Sequence, residues 1–373
     1  MRIWLKRLGT ALLFLTVAIC FAPTLVPPFL DRIYYRGPVS DHFDGERFFN
    51  PGPRAVRHGN PKSFMNRVIG SDERAEWPAQ VPVATTVPAA RVAGDAMRVT
   101  WIGHATTLIQ TQGLNILTDP IWSERASPFS FAGPKRVRAP GVRFEDLPKI
   151  DVVLISHNHY DHLDLPTLQR LWRRDRPLIV TSLGNDTILR GAGVESVALD
   201  WTGRRTVRPG VEVIVERNHH WGSRWGSDRN RALWSAFTVK LPGGSIFYAG
   251  DTGFGDGSWV KEAAARGPYR LAILPIGAYE PRDFMKDNHI DPEESVRIFE
   301  ALHPTRALAM HWGTFQLTFE PIDEPRERLE ALKRARGIAR DRFVAVEAGQ
   351  GFDVPAALPA EAGISGRDRT RSR

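Results

Sequence analysis

The sequence predicts an α+β fold in which two layers of β-sheet are covered by helices, and two observations support this prediction. From Met97 onward the chain consists of short apolar segments separated by Gly, Asp and Pro, which is typical of strands and turns. Three longer segments between them have the apolar spacing of amphipathic helices. Because strands come first in runs and helices are interleaved later, we expect packed sheet layers with outer helices, in one domain.

The predicted elements can be placed along the chain with defined limits. Candidate strands are residues 98–102, 106–110, 114–117, 151–155, 178–181, 211–215, 235–240, 245–248, 271–274, 306–310 and 343–346. Candidate helices are residues 165–174, 292–302 and 325–335. The second helix has a clear start, because Asp291 can cap it, Pro292 suits its first turn and Glu294 completes a capping box.

Composition and charge limit the classes of protein and of partner. The chain has 373 residues, of which 42% are hydrophobic and 25% charged, as in ordinary soluble globular proteins. Its net charge of +8 favours an anionic partner, phospholipid or nucleic acid, without choosing between them, although the Arg-rich residues 367–373 contribute to it. Cys20 is the only cysteine, so any metal must be held by histidines and carboxylates rather than by thiolates.

The first thirty residues have the pattern of a signal peptide or a membrane anchor. Arg2, Lys6 and Arg7 precede an uncharged run over residues 8–30, which prolines interrupt in its second half. The charge distribution predicts an uncleaved anchor in a bacterial inner membrane with the domain facing the periplasm; a secreted or periplasmic protein after signal cleavage is the alternative. The expected organisation is an anchor or signal segment at residues 1–30, an irregular lead-in at 31–94, the domain at 95–355 and a disordered basic tail at 356–373.

The aromatic residues of the lead-in allow two interpretations. Phe43, Phe48 and Phe49 lie in a segment that shows no regular pattern of its own. They can pack on the domain or contact lipid, and we expect packing, because large apolar side chains are usually buried.

A short segment after the predicted strand 151–155 carries the residues that indicate chemistry. His157, His159, Asp161 and His162 fall within six positions, and burying them in an apolar core without partners would be costly. On a loop they can converge on a metal, since imidazole and carboxylate are natural zinc ligands. His157 and His159 project the same way in an extended stretch, whereas Asp161 and His162 come after a turn and can reach a second point. The alternative is a cluster of solvated surface histidines.

Three later strands also run into residues of the ligand type. His219 and His220 come after the strand 211–215, Asp251 after 245–248 and His311 after 306–310. Each is weak evidence alone, because a single buried histidine is usually just packed. Four such strand endings in one chain predict one metal site built from all of them.

These motifs together resemble a known superfamily. The run from His157 to His162 matches the H-x-H-x-D-H signature of the metallo-β-lactamase superfamily. Over roughly residues 95–350 the chain resembles the N-acyl-phosphatidylethanolamine-hydrolysing phospholipase D branch of it. The further matching segments are Gly103-His104-Ala105-Thr106, Thr118-Asp119-Pro120, Gly250-Asp251-Thr252, Tyr279-Glu280-Pro281-Arg282, Met285-Lys286, His289, Asp291-Pro292-Glu293-Glu294 and His311-Trp312-Gly313-Thr314.

The resemblance implies a metallo-β-lactamase αββα sandwich, with two mixed β-sheets flanked by helices, that holds two zinc ions per chain. The implied ligands are His157, His159 and His220 for one ion and Asp161, His162 and His311 for the other, with Asp251 bridging both. His220 is preferred to His219 because the family places its ligand directly before an aromatic residue, here Trp221. The role of His219 stays open.

The resemblance also implies roles around the metals. Asp161 is expected to orient the attacking water as well as to bind metal, and His289 to bind the phosphate or protonate the leaving group; an ordinary surface histidine is the alternative for His289. Tyr160 is expected to line the pocket. Tyr279 and Arg282 are either pocket residues or packing residues, and His104 is expected to orient a ligand rather than to be one.

The expected function is a phospholipase D that converts N-acyl-phosphatidylethanolamine-like phospholipids into phosphatidic acid and N-acylethanolamine. The expected partners are a phospholipid or other phosphodiester substrate, a membrane surface and possible formation of a homodimer. One alternative is a lactonase or phosphodiesterase for a small soluble substrate, and another is a membrane-anchored protein that binds without turnover. Nucleic acid is not expected, because the sequence has no separate basic module laced with aromatic residues.

Overall fold

A computed structural model describes residues 4, 6–18, 32–52 and 74–357. Residues 19–30 of the expected anchor, Cys20, residues 53–73 of the lead-in and residues 358–373 of the expected tail lie outside the described residues. Residues 6–18 are helical. In the described part of the chain, no helix has both the length and the hydropathy needed to cross a bilayer.

Two mixed sheets of seven strands form the centre of the described domain. In sheet one the strands lie in the order β14-β1-β2-β3-β4-β5-β6, with parallel pairing from β3 to β6 and antiparallel pairing elsewhere. Its members are β1 Met97–Gly103, β2 Thr106–Thr111, β3 Leu114–Thr118, β4 Val152–Ile155, β5 Leu178–Ser182, β6 Val197–Leu199 and β14 Gly351–Asp353.

Sheet two has the order β13-β12-β11-β10-β9-β8-β7 and is likewise half parallel, from β10 to β13, and half antiparallel. Its members are β7 Arg204–Arg208, β8 Val211–Glu216, β9 Ala236–Lys240, β10 Ser245–Tyr248, β11 Tyr269–Pro275, β12 Arg306–Met310 and β13 Phe343–Val344. All of the strands predicted from sequence are present, and β6, β7 and β14 are additional to them.

The helices of the domain flank these sheets. They are α1 Leu165–Asp175, α2 Asn185–Gly191, α3 Ser258–Ala264, α4 Arg282–Met285, α5 Pro292–Leu302 and α6 Glu324–Ala335, with a 3₁₀ turn at Phe144–Asp146. The predicted capping box at the start of α5 is confirmed. The Asp291 carboxylate accepts from the Glu294 N–H at 2.9 Å, and the Glu294 carboxylate accepts from the Asp291 N–H.

The pleat of β4 shows how the layers form. Val152 and Leu154 face the large core between the sheets, whereas Val153 lies in a second core with Leu168 and Leu171 of α1. Successive strand residues point to opposite faces, so a strand that is apolar throughout must be covered on both sides. This αββα layering confirms the predicted fold class.

The lead-in packs against the domain through its aromatic residues. Phe43 and Phe48 are each 1% exposed and their ring centroids lie 4.6 Å apart, so the expected packing is confirmed for these two. Phe49 is partly exposed. His42 stacks on Trp201 with ring centroids 4.4 Å apart.

We expect the contact of His42 to make the stability of the protein depend on pH. Burial lowers the pKa of His42, but its hydrogen bonds to Asp200 and Asp41 outweigh this and raise the pKa above its ordinary value. A raised folded pKa means that the contribution is fully present below the unfolded pKa of about 6.5 and is lost as pH rises through the folded pKa. We therefore expect His42→Gln to lower the free energy of unfolding by roughly 1–2 kcal/mol at about pH 5.5, and by less as pH increases.

Urea unfolding of the wild type and of His42→Gln, at a series of pH values, measures this difference. Asp200→Asn removes one carboxylate partner of His42. It should lower the free energy of unfolding with the same pH dependence as His42→Gln. If the difference in free energy of unfolding between the wild type and His42→Gln stayed constant from acidic to alkaline pH, protonated His42 would not be stabilised by Asp41 and Asp200.

Candidate metal centre

Strand ends from both sheets deliver the candidate ligands to one place. Sheet one contributes the loop after β4, and sheet two contributes the segments after three of its strands. The residues are His157, His159, Asp161 and His162 after β4, His220 after β8, Asp251 after β10 and His311 after β12.

The side chains form two groups that share one carboxylate. The ligand-type atoms of His157, His159 and His220 lie within 4.8 Å of one another. Those of Asp161, His162 and His311, together with His104, form a second group within the same limit. The structure thus brings together the three-residue sets that the resemblance implied.

Asp251 lies between the two groups. Its Oδ2 atom is 3.0 Å from the Nε2 atom of His162 and 3.0 Å from that of His311. A carboxylate oxygen of Asp251 also falls within 4.8 Å of ligand-type atoms of His220 and His289. This is the position that a bridging carboxylate would need.

Orphaned polar atoms test whether these residues fit a metal. Among the described residues, the Nε2 atoms of His159 and His220 and the Oδ1 atom of Asp251 are buried without a hydrogen-bond partner. Leaving such atoms unsatisfied costs about 1–3 kcal/mol each. Because they converge on one region and are imidazole and carboxylate donors, bound cations would satisfy them, and the residues fit a zinc-type site.

The first group has the protonation state that metal binding requires. Burial lowers the pKa of His157 and of His220 well below its ordinary value, and lowers that of His159 to about 3. These imidazoles are therefore neutral at pH 7 and have lone pairs to offer.

The second group has a different balance of charge. Burial raises the pKa of Asp161 and of Asp251, but the adjacent His162 outweighs it, so both carboxyls have a pKa well below the ordinary value. Burial lowers the pKa of His311, but Asp251 and Asp161 raise it to about 9. Two ionised carboxylates thus hold positive charge in this half of the site, which is the charge that a bound cation would supply.

A second layer of hydrogen bonds orients the ligand side chains. His162 Nδ1 lies 2.6 Å from Asp119 Oδ2, which places a buried carboxylate behind that ring. His104 Nε2 lies 2.8 Å from Asp161 Oδ2, which agrees with the orienting role expected for His104. Such contacts fix the tautomer and the direction of a ligand.

Sequence reasoning gave no role to Asp119. Its carboxylate also accepts from the Ser156 N–H at 2.8 Å and from the Tyr248 hydroxyl, so one buried group ties three elements of the site together. The only sequence signal was its place in the matching Thr118-Asp119-Pro120 segment.

The backbone around the site holds left-handed residues that are not glycine. His104 has φ +54°, Asp119 +29° and His311 +63°. Such conformations cost on the order of 1–3 kcal/mol and concentrate at functional sites. Gly250 has φ +59°, and a Cβ there would lie 2.7 Å from that of Ser156, so only glycine lets the chain reach Asp251.

A cavity of about 310 Å³ opens on the candidate ligands. His159, Asp161 and Asp251 line it, as do Tyr160 and His289. Phe284, Met285 and Leu317 give it an apolar wall.

His289 and Tyr160 therefore lie where a substrate would contact them. The Nδ1 atom of His289 is buried, has no hydrogen-bond partner among the described residues and lies 3.9 Å from Asp251 Oδ2. The Arg224 guanidinium lies over the Tyr160 ring, 3.9 Å from its centroid.

Three other residues singled out from the sequence do not line this cavity. Tyr279 is buried and donates to Glu324, and Arg282 forms an ion pair with Glu294, so packing accounts for both. The backbone N–H of His219 donates to Thr252 Oγ1, and its ring faces Gly255 rather than the two ligand groups.

We expect Asp119→Asn to weaken metal binding without removing a ligand. The amide cannot accept as a carboxylate does from His162, and loss of such a partner reduces metal affinity by about 10–100-fold. Competition with a chromophoric chelator measures the metal affinity, and a thermal melt verifies that the variant is folded. Asp353→Asn, an exposed carboxylate at the edge of the same sheet, serves as the control. Equal affinity in all three proteins would show that Asp119 does not act through His162.

Comparisons with known proteins agree with this geometry. Residues 114–312 match the family profile described as a beta-lactamase superfamily domain. The chain is 35% identical to N-acyl-phosphatidylethanolamine-hydrolyzing phospholipase D 1 of Caenorhabditis elegans, over 80% of this chain and 93% of that protein. It is 36% identical to the mitochondrial N-acyl-phosphatidylethanolamine-hydrolyzing phospholipase D of Saccharomyces cerevisiae, over 67% of this chain and 54% of that protein.

A solved structure supports the fold independently. A metallo hydrolase from the hyperthermophilic archaeon Ignicoccus hospitalis superimposes with a TM-score of 0.52 at 20% identity. The match covers 69% of this chain and 98% of that protein.

Proposed function

Because the chain belongs to the metallo-β-lactamase superfamily, in its N-acyl-phosphatidylethanolamine-hydrolysing phospholipase D-like branch, and is a metal-dependent hydrolase, we propose that it cleaves phosphodiesters with two bound zinc ions. The observation that carries the proposal is the pair of ligand groups on either side of Asp251, beside a cavity with an apolar wall. The proposed reaction converts an N-acyl-phosphatidylethanolamine-like phospholipid into phosphatidic acid and an N-acylethanolamine.

The residues of the chain divide this work between them. When bound, two zinc ions would lower the pKa of a coordinated water and neutralise phosphate charge. His157, His159 and His220 would hold one ion, and Asp161, His162 and His311 the other, with Asp251 shared.

Asp161, Tyr160 and His289 would act on the substrate side. The Asp161 carboxylate lines the cavity and can accept a hydrogen bond from the attacking water. The unpaired Nδ1 of His289 can donate to a phosphate oxygen or pass a proton to the departing alcohol oxygen. Tyr160 forms the wall between this cavity and a larger neighbouring one of about 660 Å³.

Two observations support a phospholipid as the substrate. The apolar wall can cover an acyl chain, and the relatives are named for a phospholipid substrate. We further propose an inner-membrane location with the domain on the periplasmic side, for which the basic residues before the apolar N-terminal run are the support.

A smaller substrate is the second candidate. The cavity at the ligands is only about 310 Å³, which suits a lactone or a small soluble phosphodiester. Fold alone does not choose between these chemistries. Binding without turnover is disfavoured, because all seven implied ligand positions carry metal-binding side chains.

One experiment separates these readings. The purified full chain, with its metal content measured, is assayed against N-acyl-phosphatidylethanolamine, phosphatidylcholine and a soluble aryl phosphodiester. We expect faster turnover of N-acyl-phosphatidylethanolamine than of phosphatidylcholine. The variants His157→Ala and Asp251→Ala should lose all turnover. Turnover of the soluble ester alone would refute the phospholipid assignment, and activity that survived both substitutions would refute the metal mechanism.

A further inference from the structure

We propose that three exposed aromatic residues, Phe129, Phe131 and Trp225, form a rim that inserts into the surface of a lipid bilayer. We call them the aromatic rim. The proposal rests on the proposed function, because it explains how a substrate embedded in a bilayer would reach the metal cavity.

The first two members of the rim lie at the tip of a hairpin. Residues 124–136 double back, with an Ala126 N–H to Pro134 carbonyl hydrogen bond of 3.0 Å and an isolated antiparallel bridge between Arg125 and Lys135. The Arg125 guanidinium also donates to the Gly133 carbonyl at 2.6 Å. The tip is therefore held in shape by its own hydrogen bonds rather than by contact with the core.

The side chains at this tip remain in water. Phe129 is 50% exposed and Phe131 is 79% exposed, with ring centroids 5.5 Å apart. Two neighbouring phenyl rings left outside the core on a braced loop indicate a surface that another apolar phase covers.

The third member lies on a separate loop that is braced by a buried carboxylate. The Trp225 side chain is 43% exposed, and the backbone N–H of Trp225 donates to Asp228 Oδ1 at 2.9 Å. Ser223 Oγ donates to the same oxygen at 2.6 Å, and the Tyr34 hydroxyl to Oδ2 at 2.8 Å. The loop is thus fixed before any partner binds, which keeps the cost of ordering low.

Both loops border the route to the metals. Ala126 of the hairpin lines the metal cavity, and Pro128 lines the larger cavity together with Trp225. Tyr160 lines both cavities. The aromatic rim therefore lies beside the openings through which an acyl chain would pass from a bilayer to the site.

Charge favours an anionic bilayer as the occupant. On the outside of the hairpin, Lys135 and Arg125 outnumber Glu124. The Arg136 guanidinium is turned inward, where it donates to the Ile121 and Ser123 carbonyls. Arg32, exposed, lines the larger cavity. Aromatic rings flanked by basic residues are typical of segments that lie at the membrane interface, where lysine and arginine meet anionic headgroups.

The N-terminal helical segment adds an independent indication of the same partner. It begins with Lys6 and Arg7, and its apolar side chains have no cover from the described part of the chain. The exposed residues are Leu8, Leu12, Leu13, Phe14, Leu15 and Val17. This segment can attach the protein to a bilayer, so a test of the aromatic rim must measure insertion at the rim itself.

A fluorescent reporter at the rim provides that test. In the full chain Cys20 is replaced by serine, and an environment-sensitive label is attached to Phe131→Cys. Vesicles of phosphatidylcholine with and without phosphatidylglycerol are added, and nitroxide lipids serve as quenchers. We expect a blue shift and quenching that are stronger with the anionic lipid. The same label on Ala331→Cys, an exposed position on α6, should show neither change.

Activity gives a second measurement. In Phe129→Ser/Phe131→Ser we expect turnover of vesicle substrate to fall by about tenfold or more, since burying each phenyl ring is worth roughly a tenfold factor. Turnover of the soluble aryl ester should be unchanged, and tryptophan should restore vesicle turnover at both positions. Val87→Ser, an exposed apolar residue of the lead-in, is the matched control.

The outcomes separate this proposal from the proposed function. A label that stays in water while the protein sediments with vesicles overturns the aromatic rim, whatever the enzyme hydrolyses. A label that is shielded without vesicles, in a protein with the mass of a dimer, also overturns it, because the surface then joins two copies of the chain. Insertion of the label without any phospholipid turnover supports the rim and overturns the phospholipase assignment.

Discussion

Asp251→Ala is expected to abolish hydrolysis and to lower the metal content at the same time. Its Oδ2 atom lies 3.0 Å from the Nε2 atoms of both His162 and His311, so its removal takes a ligand from both halves of the centre. Loss of a residue that only hydrogen-bonds to a metal ligand reduces metal affinity or activity by about 10–100-fold. Loss of a ligand shared by both groups should therefore reduce kcat/KM on the order of 1000-fold or more.

Steady-state kinetics and elemental analysis on the same sample measure the two effects together. Asp256→Ala, an exposed aspartate a few residues along the same loop, should keep both near the wild-type values. An Asp251→Ala protein with full metal content and normal kcat/KM would show that this carboxylate does not hold the ions.

Removal of metal by a chelator should destabilise the folded protein as well as inactivate it. Without a cation, the Nε2 atoms of His159 and His220 and the Oδ1 atom of Asp251 have no hydrogen-bond partner among the described residues. A metal concentration 100-fold above Kd contributes about 2.7 kcal/mol per site to the free energy of unfolding. A domain of this size should therefore lose roughly 5–10 °C in Tm.

Thermal unfolding with chelator, and again after adding back zinc, measures this change. His157→Ala should respond less than the wild type, because it retains less metal to lose. Identical melting curves with and without chelator, in a sample whose metal content has been shown to fall, would contradict a structural contribution from the ions.

The sheet strands and the candidate ligand positions can be recognised in the sequence for a common physical reason. A strand such as β4, buried on both faces, must be apolar throughout, so its end is marked by the first polar residues, here Ser156 and His157. Strands that run in the same direction, as β8, β10 and β12 do, end at the same edge of a sheet. Histidine and aspartate residues that recur at such strand ends can therefore be recognised in the sequence before any contact is known.

The missed elements lack that marker. Strand β7 has mostly exposed or half-exposed residues, including Arg204 and Arg205, because it forms an edge of sheet two. Strand β14 has only three residues, and its pairing with β1 depends on a contact between distant parts of the chain. Helix α2 begins after Gly184 at φ +86°, where its seven residues are too few for a reliable apolar period.

The supporting residues of the site were hidden for a related reason. Asp119 gains its role only through contacts with His162, Ser156 and Tyr248, which the fold brings together from distant positions. Its own neighbourhood, a strand followed by proline, looks like any turn. For Tyr279 and Arg282 the sequence left packing and pocket lining open, and the structure supports packing, through Glu324 and Glu294.

The ligands are divided between the two halves of the sandwich, four after a strand of sheet one and three after strands of sheet two. On the proposed dinuclear zinc site, neither half would hold all the ligands of an ion, so capture of zinc would require that both halves have already docked. Bound cations would then act as a cross-link that holds one half against the other and slows their separation. We therefore expect the yield of mature protein to depend on how much zinc is at hand while the chain folds.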